Sequence, residues 1–450
     1  MKHLLQTTLL FFVLFFHFKA FSQWTQVGTN QGFASSGSAP TLMIDPNTGD
    51  AYIAYRDGAT NTFIVRKLDG TSWTQTGTNL GFASNGSNPA LAIDPNTSDV
   101  YIAYPDGAAN AFTVRKFDGT SWTQTGASLG FASSKSAPAL AIDPNTGDVY
   151  IAYPDGAANA FVVRKFDGTS WVQAGANMGF ASSESAPALA IDPNTDDVYI
   201  AYPDGAANAF VVRKFDGTSW VQAGANMGFA SSESAPALAI DPNTDDVYIA
   251  YPDGAANAFV VRKFDGTSWA QTGTNLGFAS SGSAPSLAID PNTSELYIAY
   301  PDGAANAFII RKFDGTSWAQ TGDNMGFASS GSNPALAIDP NTGELYIAYP
   351  DGAVNAFVIQ KDNIITATLK QFDSSNQLSI YPNPTADFMT LLVTGEASGS
   401  AYTLTNSLGV QMLTGKLTGA TTLIDLSQLA ADVYFLQIRQ GNQFIKVIKK

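Results

Sequence analysis

Residues 139–174 read ALAIDPNTGDVYIAYPDGAANAFVVRKFDGTSWVQA, and their punctuation decides the fold. The apolar run 139–142 ends at Asp-Pro-Asn-Thr-Gly-Asp, where Pro, Asn and Gly stand as a hairpin turn wants them. Residues 149–153 follow, rich in β-branched and aromatic side chains, as strands are. Pro154, Asp155 and Gly156 break this run, and 161–166 makes a third strand. Asp167 and Gly168 then turn the chain into a fourth strand at 170–174. The first three runs are apolar on both faces, which suits sheets packed between neighbours. No window carries a helical period.

This unit recurs every 49 residues. Tryptophan stands at Trp24, Trp73, Trp122, Trp171, Trp220, Trp269 and Trp318, and the turn aspartate keeps the same step from Asp45 to Asp339. Residues 161–209 and 210–258 are identical. Four strands per repeat, seven times over, predict an all-β chain whose repeats close as the blades of a seven-bladed β-propeller. The chain ends fit a closed ring. Trp24 belongs to a fourth strand, whereas the last repeat stops after its third strand, at 357–361. The N-terminal strand can complete the seventh blade and leave no open edge. Residues 364–369 could fill the same slot, since Ala367 lies 49 positions after Trp318; Trp24 is preferred because it restores the seventh tryptophan.

Residues 1–22 read as a secretory signal peptide: Lys2 is the positive start, 9–16 is wholly apolar, and Ala20 and Ser22 are small residues before a cleavage site at Gln23. No stretch is apolar for long enough to span a membrane as a helix. His3 and His17, the only histidines, lie in this signal, and the chain has no cysteine. The mature chain therefore excludes Ser-His-Asp and Cys-His catalysis and nitrogen–sulfur zinc sites. No cofactor is expected. A metal would have to be a hard cation held by oxygen, calcium first. The net charge of −15 becomes still more acidic when Lys2 and Lys19 leave, which argues against nucleic acid as a partner.

Repetition ends near residue 361. After the linker 364–377, residues 378–450 read as six or seven short strands, a small β-sandwich. Leu-Ser-Ile-Tyr-Pro-Asn-Pro-Thr (378–385), Asn406 with Leu408 and Gly409, Ile-Asp-Leu-Ser-Gln-Leu (424–429), Val-Tyr-Phe-Leu-Gln-Ile (433–438) and the basic end Lys446, Lys449 and Lys450 occur in order. This tail resembles the type A C-terminal sorting domain of the Bacteroidetes type IX secretion system. The resemblance implies that Tyr381, Pro382, Asn383, Pro384 and the three terminal lysines form the sorting motif. It also implies that the secretion machinery is a partner, and that the protein is secreted or held at the cell surface. Asp432 stands where the family usually has glycine, a departure that a turn-forming aspartate tolerates. The expected organisation is signal 1–22, propeller 23–363 (closed by its N-terminal strand), linker 364–377 and sorting domain 378–450.

A propeller hosts many functions, so the site must carry the functional reading. The loops expected on one face bring together Tyr, Asp, Asn and Ser. The candidate ligand set is Tyr104, Asp106 and Asn110; Tyr153, Asp155 and Asn159; Tyr202, Asp204 and Asn208; Tyr251, Asp253 and Asn257; and Tyr300, Asp302 and Asn306. An aromatic face beside short polar groups suits a sugar. The same residues also read as a turn whose Asp and Asn satisfy backbone groups locally, with Tyr packed between blades. Exposure of the Tyr153-type rings separates the two readings. On the opposite face Asp143, Asn145 and Asp148 have oxygens at a spacing calcium could use, without the alternating run that marks a calcium loop.

Glycoside hydrolysis needs two carboxylates in unlike environments, and uniform repeats supply like ones. The departures from consensus are few: Arg56 for Pro, Lys135, Glu184 and Glu233 at a position often Gly, and Gln360 for Arg. None gathers acids into one pocket, so no enzyme is expected. Seven equal weak sites would instead give avidity for a repetitive polysaccharide or a surface glycoprotein. The rival is a protein-binding adhesion or scaffold module, which the changing charge at 135, 184 and 233 favours.

Overall fold

Short β-branched runs separated by Pro, Asn, Asp and Gly leave little choice but hairpins, and hairpins are what the chain forms. The computed structural model describes residues 24–362 apart from 134, 183, 232 and 281, and in the tail 378–381, 385, 387–393, 401–406, 411–417, 421–430, 433–438 and 443–449. The signal peptide, the linker, Pro382, Asn383, Pro384, Asp432 and Lys450 lie outside the described residues. The chain divides into two compact units, Met1–Ile364 and Ile365–Lys450.

In the first unit, β1 is Trp24–Gln26, and the first complete sheet comprises β2 (Thr41–Ile44), β3 (Ala51–Asp57), β4 (Thr62–Leu68) and β5 (Trp73–Gln75), paired in sequence order. Five further sheets repeat it. The seventh pairs Ala335–Ile338, Leu345–Asp351 and Ala356–Asp362 with β1, in antiparallel register with Trp24 opposite Asp362. The first strand of each sheet touches that of the next, and Ala335–Ile338 touches β2, so the succession of sheets closes on itself. Among the described residues every regular element is a strand.

One expectation needs correction. Pro154 does not end its strand, which runs on as Val149–Asp155 with Pro154 opposite Phe161. The neighbouring first strand stops opposite Ala152, so Pro154 has a partner on one side only, where a missing N–H is tolerated.

The core lies between successive sheets. Phe112 packs on Tyr153 of the next sheet at 4.9 Å between ring centroids. Phe357 packs on Tyr55 at 4.7 Å and carries the same contact across the closure. Each tryptophan adds a polar tie: Trp171 Nε1 donates to the Thr125 carbonyl of the preceding sheet at 2.7 Å. At the closure Trp24 Nε1 donates to the Thr321 carbonyl at 3.3 Å.

The second unit has a three-stranded sheet (Leu378–Tyr381, Phe388–Val393 and Thr421–Asp425) and a four-stranded one (Gln411–Lys416, Ala401–Asn406, Val433–Ile438 and Gln443–Ile448). Met389, Leu391 and Ile424 of the first share a core with Leu404, Tyr434, Leu436 and Val447 of the second, a sandwich-like arrangement.

Candidate functional site

The turn after each second strand positions the Tyr-Asp-Asn set, and the structure withdraws the tyrosines from it. Tyr104, Tyr153, Tyr202, Tyr251 and Tyr300 are fully buried. The Tyr153 hydroxyl accepts from Arg164 Nε at 2.9 Å, and Arg164 Nη1 donates to the Trp171 carbonyl at 3.2 Å. The same bond joins Tyr104 to Arg115, Tyr202 to Arg213, Tyr251 to Arg262 and Tyr300 to Arg311. Burial pushes the Tyr153 phenol above its usual value, against the opposing pull of Arg164. Gly130 closes over the ring so tightly that a Cβ there would stand 2.5 Å from it. The expectation that these rings stack on a ligand is therefore corrected: each is already packed against the preceding sheet's phenylalanine.

The aspartates and asparagines hold the turn. Asp155 Oδ1 accepts from the backbone N–H of Ala157 at 3.0 Å and of Phe131 at 3.2 Å. Asp106, Asp204, Asp253 and Asp302 repeat this pattern. Asn110, Asn159, Asn208, Asn257 and Asn306 all adopt the left-handed conformation, with φ of 49–51°. Asn is among the few side chains that do so at low cost.

What these turns present is a different aromatic residue. Phe33, Phe82, Phe131, Phe180, Phe229, Phe278 and Phe327 are each 44–50% exposed. Phe131 lies against Gly156, where a Cβ would come within 2.8 Å of the ring edge, so the glycine is what lets the ring lie down. Beside Phe327, a small cavity of about 150 Å³ opens between the seventh sheet and the first, lined by Ala34, Ser35, Ser36, Ser329, Pro350 and Asn355 among others. A half-open ring beside serine hydroxyls is a surface for a ligand with both C–H and O–H groups. The sequence signal was a large apolar residue between Gly and Ala-Ser in a loop, where no strand alternation could bury it.

Around the start of the first strands, one position from each repeat surrounds a polar cavity of about 300 Å³: Gly37, Gly86, Lys135, Glu184, Glu233, Gly282 and Gly331. Lys135 Nζ pairs with Glu184 Oε1 at 2.6 Å. That contact, above all, holds the Glu184 carboxyl below its usual range.

On the opposite face the calcium candidates point to three separate partners. Asp143 Oδ1 accepts from the Asn145 N–H at 2.9 Å, Asn145 Nδ2 donates to the Pro193 carbonyl at 2.6 Å, and Asp148 is ion-paired with Lys165. The three groups thus serve a turn, an inter-sheet bond and a salt bridge.

In the tail, Lys449 is buried with Nζ 3.4 Å from Asp387 Oδ1. Lys446 pairs with Phe435 in the backbone register, and Tyr381 with Thr390.

Residues 379–450 match the family described as "Secretion system C-terminal sorting domain". The type IX resemblance of the tail thus stands: this region is a secretion-system sorting domain. No curated protein matches the chain. Among solved structures, the SapL1 lectin in complex with alpha methyl fucoside is similar at 14% identity and a TM-score of 0.50, over 65% of this chain and 97% of that one. Hydrazine synthase of Kuenenia stuttgartiensis is similar at 13% identity and a TM-score of 0.50, over 74% and 97%. PorZ, a surface component of the type-IX secretion system of Porphyromonas gingivalis, aligns at 15% identity and a TM-score of 0.48, over 96% of this chain and 60% of its own. The first two likenesses concern the fold alone.

Proposed function

We propose that the chain is an exported, non-enzymatic, seven-bladed β-propeller that holds a polymeric glycan through several equivalent weak clefts. The secretion machinery would deliver it to the cell surface or beyond through the sorting tail, with the Tyr381–Pro384 segment and the terminal lysines as the recognised motif. The observation that carries the binding reading is the row of seven half-exposed phenylalanines, one per repeat, on the Pro-Asp-Gly face. A large apolar ring left half open in every copy costs solvation in every copy, and contiguous or repeated apolar exposure marks interaction surfaces.

Each ring offers a C–H stacking face and neighbouring serines offer hydroxyls, the pairing a pyranose needs. One such contact is weak. Several on a single ring multiply through effective concentration when the ligand is itself repetitive. Nearby carboxylates are not arranged for hydrolysis: Asp155, beside Phe131, is committed to two backbone amides. The test is retention of the protein on immobilised polysaccharides against competition by their monosaccharides.

A second reading, docking of a protein partner, is favoured by Lys135, Glu184 and Glu233, which break the repeat at the inner cavity. Charge that differs from copy to copy suits one asymmetric partner better than a periodic polymer. Reversal of Lys135 and Glu184 separates the two: it leaves polymer binding unaffected under the glycan reading and abolishes binding of the protein partner under the protein-docking one.

A further inference from the structure

One cleft differs from the others. At the end of the second strand, six sheets carry proline (Pro105, Pro154, Pro203, Pro252, Pro301 and Pro350), and the first carries Arg56. In the seventh sheet, Pro350, Ser329 and Ser36 line the open cavity beside Phe327. Arg56 reaches across the matching space of the first sheet. Its Nη2 donates to Ser35 Oγ, the counterpart of Ser329, and to Asn85 Oδ1 at 3.2 Å, the counterpart of Ser36.

This guanidinium is 3% exposed, its Nε has no hydrogen-bond partner, and among the described residues no carboxylate forms an ion pair with it. The adjacent Asp57 uses Oδ1 to accept from the Phe33 and Ala59 amides at 3.1 and 3.0 Å. Burial pushes the Arg56 guanidinium below its usual pKa, with Asp57 opposing. A buried arginine whose hydrogen bonds go only to neutral oxygens lacks an ion-pair partner, and its planar fork matches a carboxylate or sulfate. Phe33, 44% exposed, flanks the cleft, and the exposed Asn85, followed by Gly86 in a positive-φ conformation, closes it from the other side.

We propose that the first inter-sheet cleft is an oxyanion site, in which Arg56 takes a carboxylate or sulfate group carried by the ligand and Asn85 gives up its place to it. The glycan would then be an acidic one, bearing uronate or sulfate ester groups. This identity of the ligand rests on the glycan reading above, whereas the oxyanion site does not. One such site in a ring of otherwise equal clefts would fix where an acidic residue of the polymer docks.

The test compares the full mature chain with its Arg56→Pro variant, which places in the first sheet the residue the other six already tolerate. Each is titrated calorimetrically with sodium sulfate and with sodium glucuronate against sodium chloride at matched ionic strength. Sulfated, uronate-containing and neutral oligosaccharides follow, to separate the two sources of negative charge. Wild type should bind one oxyanion per chain, and Arg56→Pro should bind it about tenfold to a hundredfold more weakly, as loss of a charge-assisted hydrogen bond dictates. Neutral polymers should bind both proteins alike. Equal oxyanion affinity in the two proteins, or no sulfate heat beyond chloride in wild type, overturns the proposal. If Arg56→Pro melts earlier, Arg56→Gln is read in the same way. Failure of the glycan reading would appear separately, as neutral and acidic polymers both ignoring the exposed phenylalanines.

Discussion

Removing one oxygen atom from Tyr153 leaves Arg164 Nε without its acceptor. Tyr153→Phe should therefore lower stability by about 0.5–1.5 kcal/mol, read as an earlier thermal transition, because a half-buried donor loses its acceptor. Phe131→Ala should do the reverse: the ring is 46% exposed, so stability changes by about 0.5 kcal/mol or less while binding suffers. These two residues also mark what could be read from the sequence. Tyr153 ends the strand-like run 149–153 directly before Pro-Asp-Gly, and so reads equally as a ring facing a ligand and as one packed between blades. Its burial depends on Phe112, 41 positions earlier and in another sheet, a contact no local pattern encodes. Phe131 is the complement, an apolar residue whose loop neighbours Gly130 and Ser133 were the available sign that no core awaited it.

Turns and strands were more legible, because their causes are local. Asp-Gly-Thr-Ser before each tryptophan from Trp73 to Trp318 specifies a turn through one carboxylate. Asp167 Oδ1 accepts from the N–H groups of Ser170 at 2.7 Å and Thr169 at 2.8 Å. The Ser N–H bond foremost holds Asp118, Asp167, Asp216, Asp265 and Asp314 below the ordinary aspartate range. A folded-state pKa below the unfolded one stabilises the fold above the unfolded value and is lost as pH falls through the folded value. Asp→Asn at these five turns should therefore lower the melting temperature at neutral pH and flatten its fall below about pH 4, so that variant and parent curves converge in acid. A second element-scale prediction concerns β1. Deleting Trp24–Gln26 uncovers the edge of Ala356–Asp362, whose backbone groups now pair with β1. The truncated chain should melt earlier and associate through the bared edge, visible as a larger species in light scattering.

At the scale of the molecule, closure is the property the repeat count alone could not deliver. Equal period gives equal sheets, but Tyr55 meeting Phe357, Trp24 meeting Thr321 and β1 meeting Ala356–Asp362 join residues from opposite ends of the first unit. The sorting tail was readable for another reason: its motifs lie in sequence order, and 379–450 match that family. The half-exposed phenylalanine recurring in all seven repeats is what makes multivalent glycan capture the central claim. Its most direct measurement is the affinity of the mature chain for a polysaccharide and for the matching monosaccharide, with and without Phe131→Ala, Phe180→Ala, Phe229→Ala and Phe278→Ala combined. The account predicts polymer binding about a hundredfold or more tighter than monomer binding, and its collapse in the combined variant with the fold intact. Equal affinity for polymer and monomer, or polymer binding that survives loss of the four rings, would contradict it.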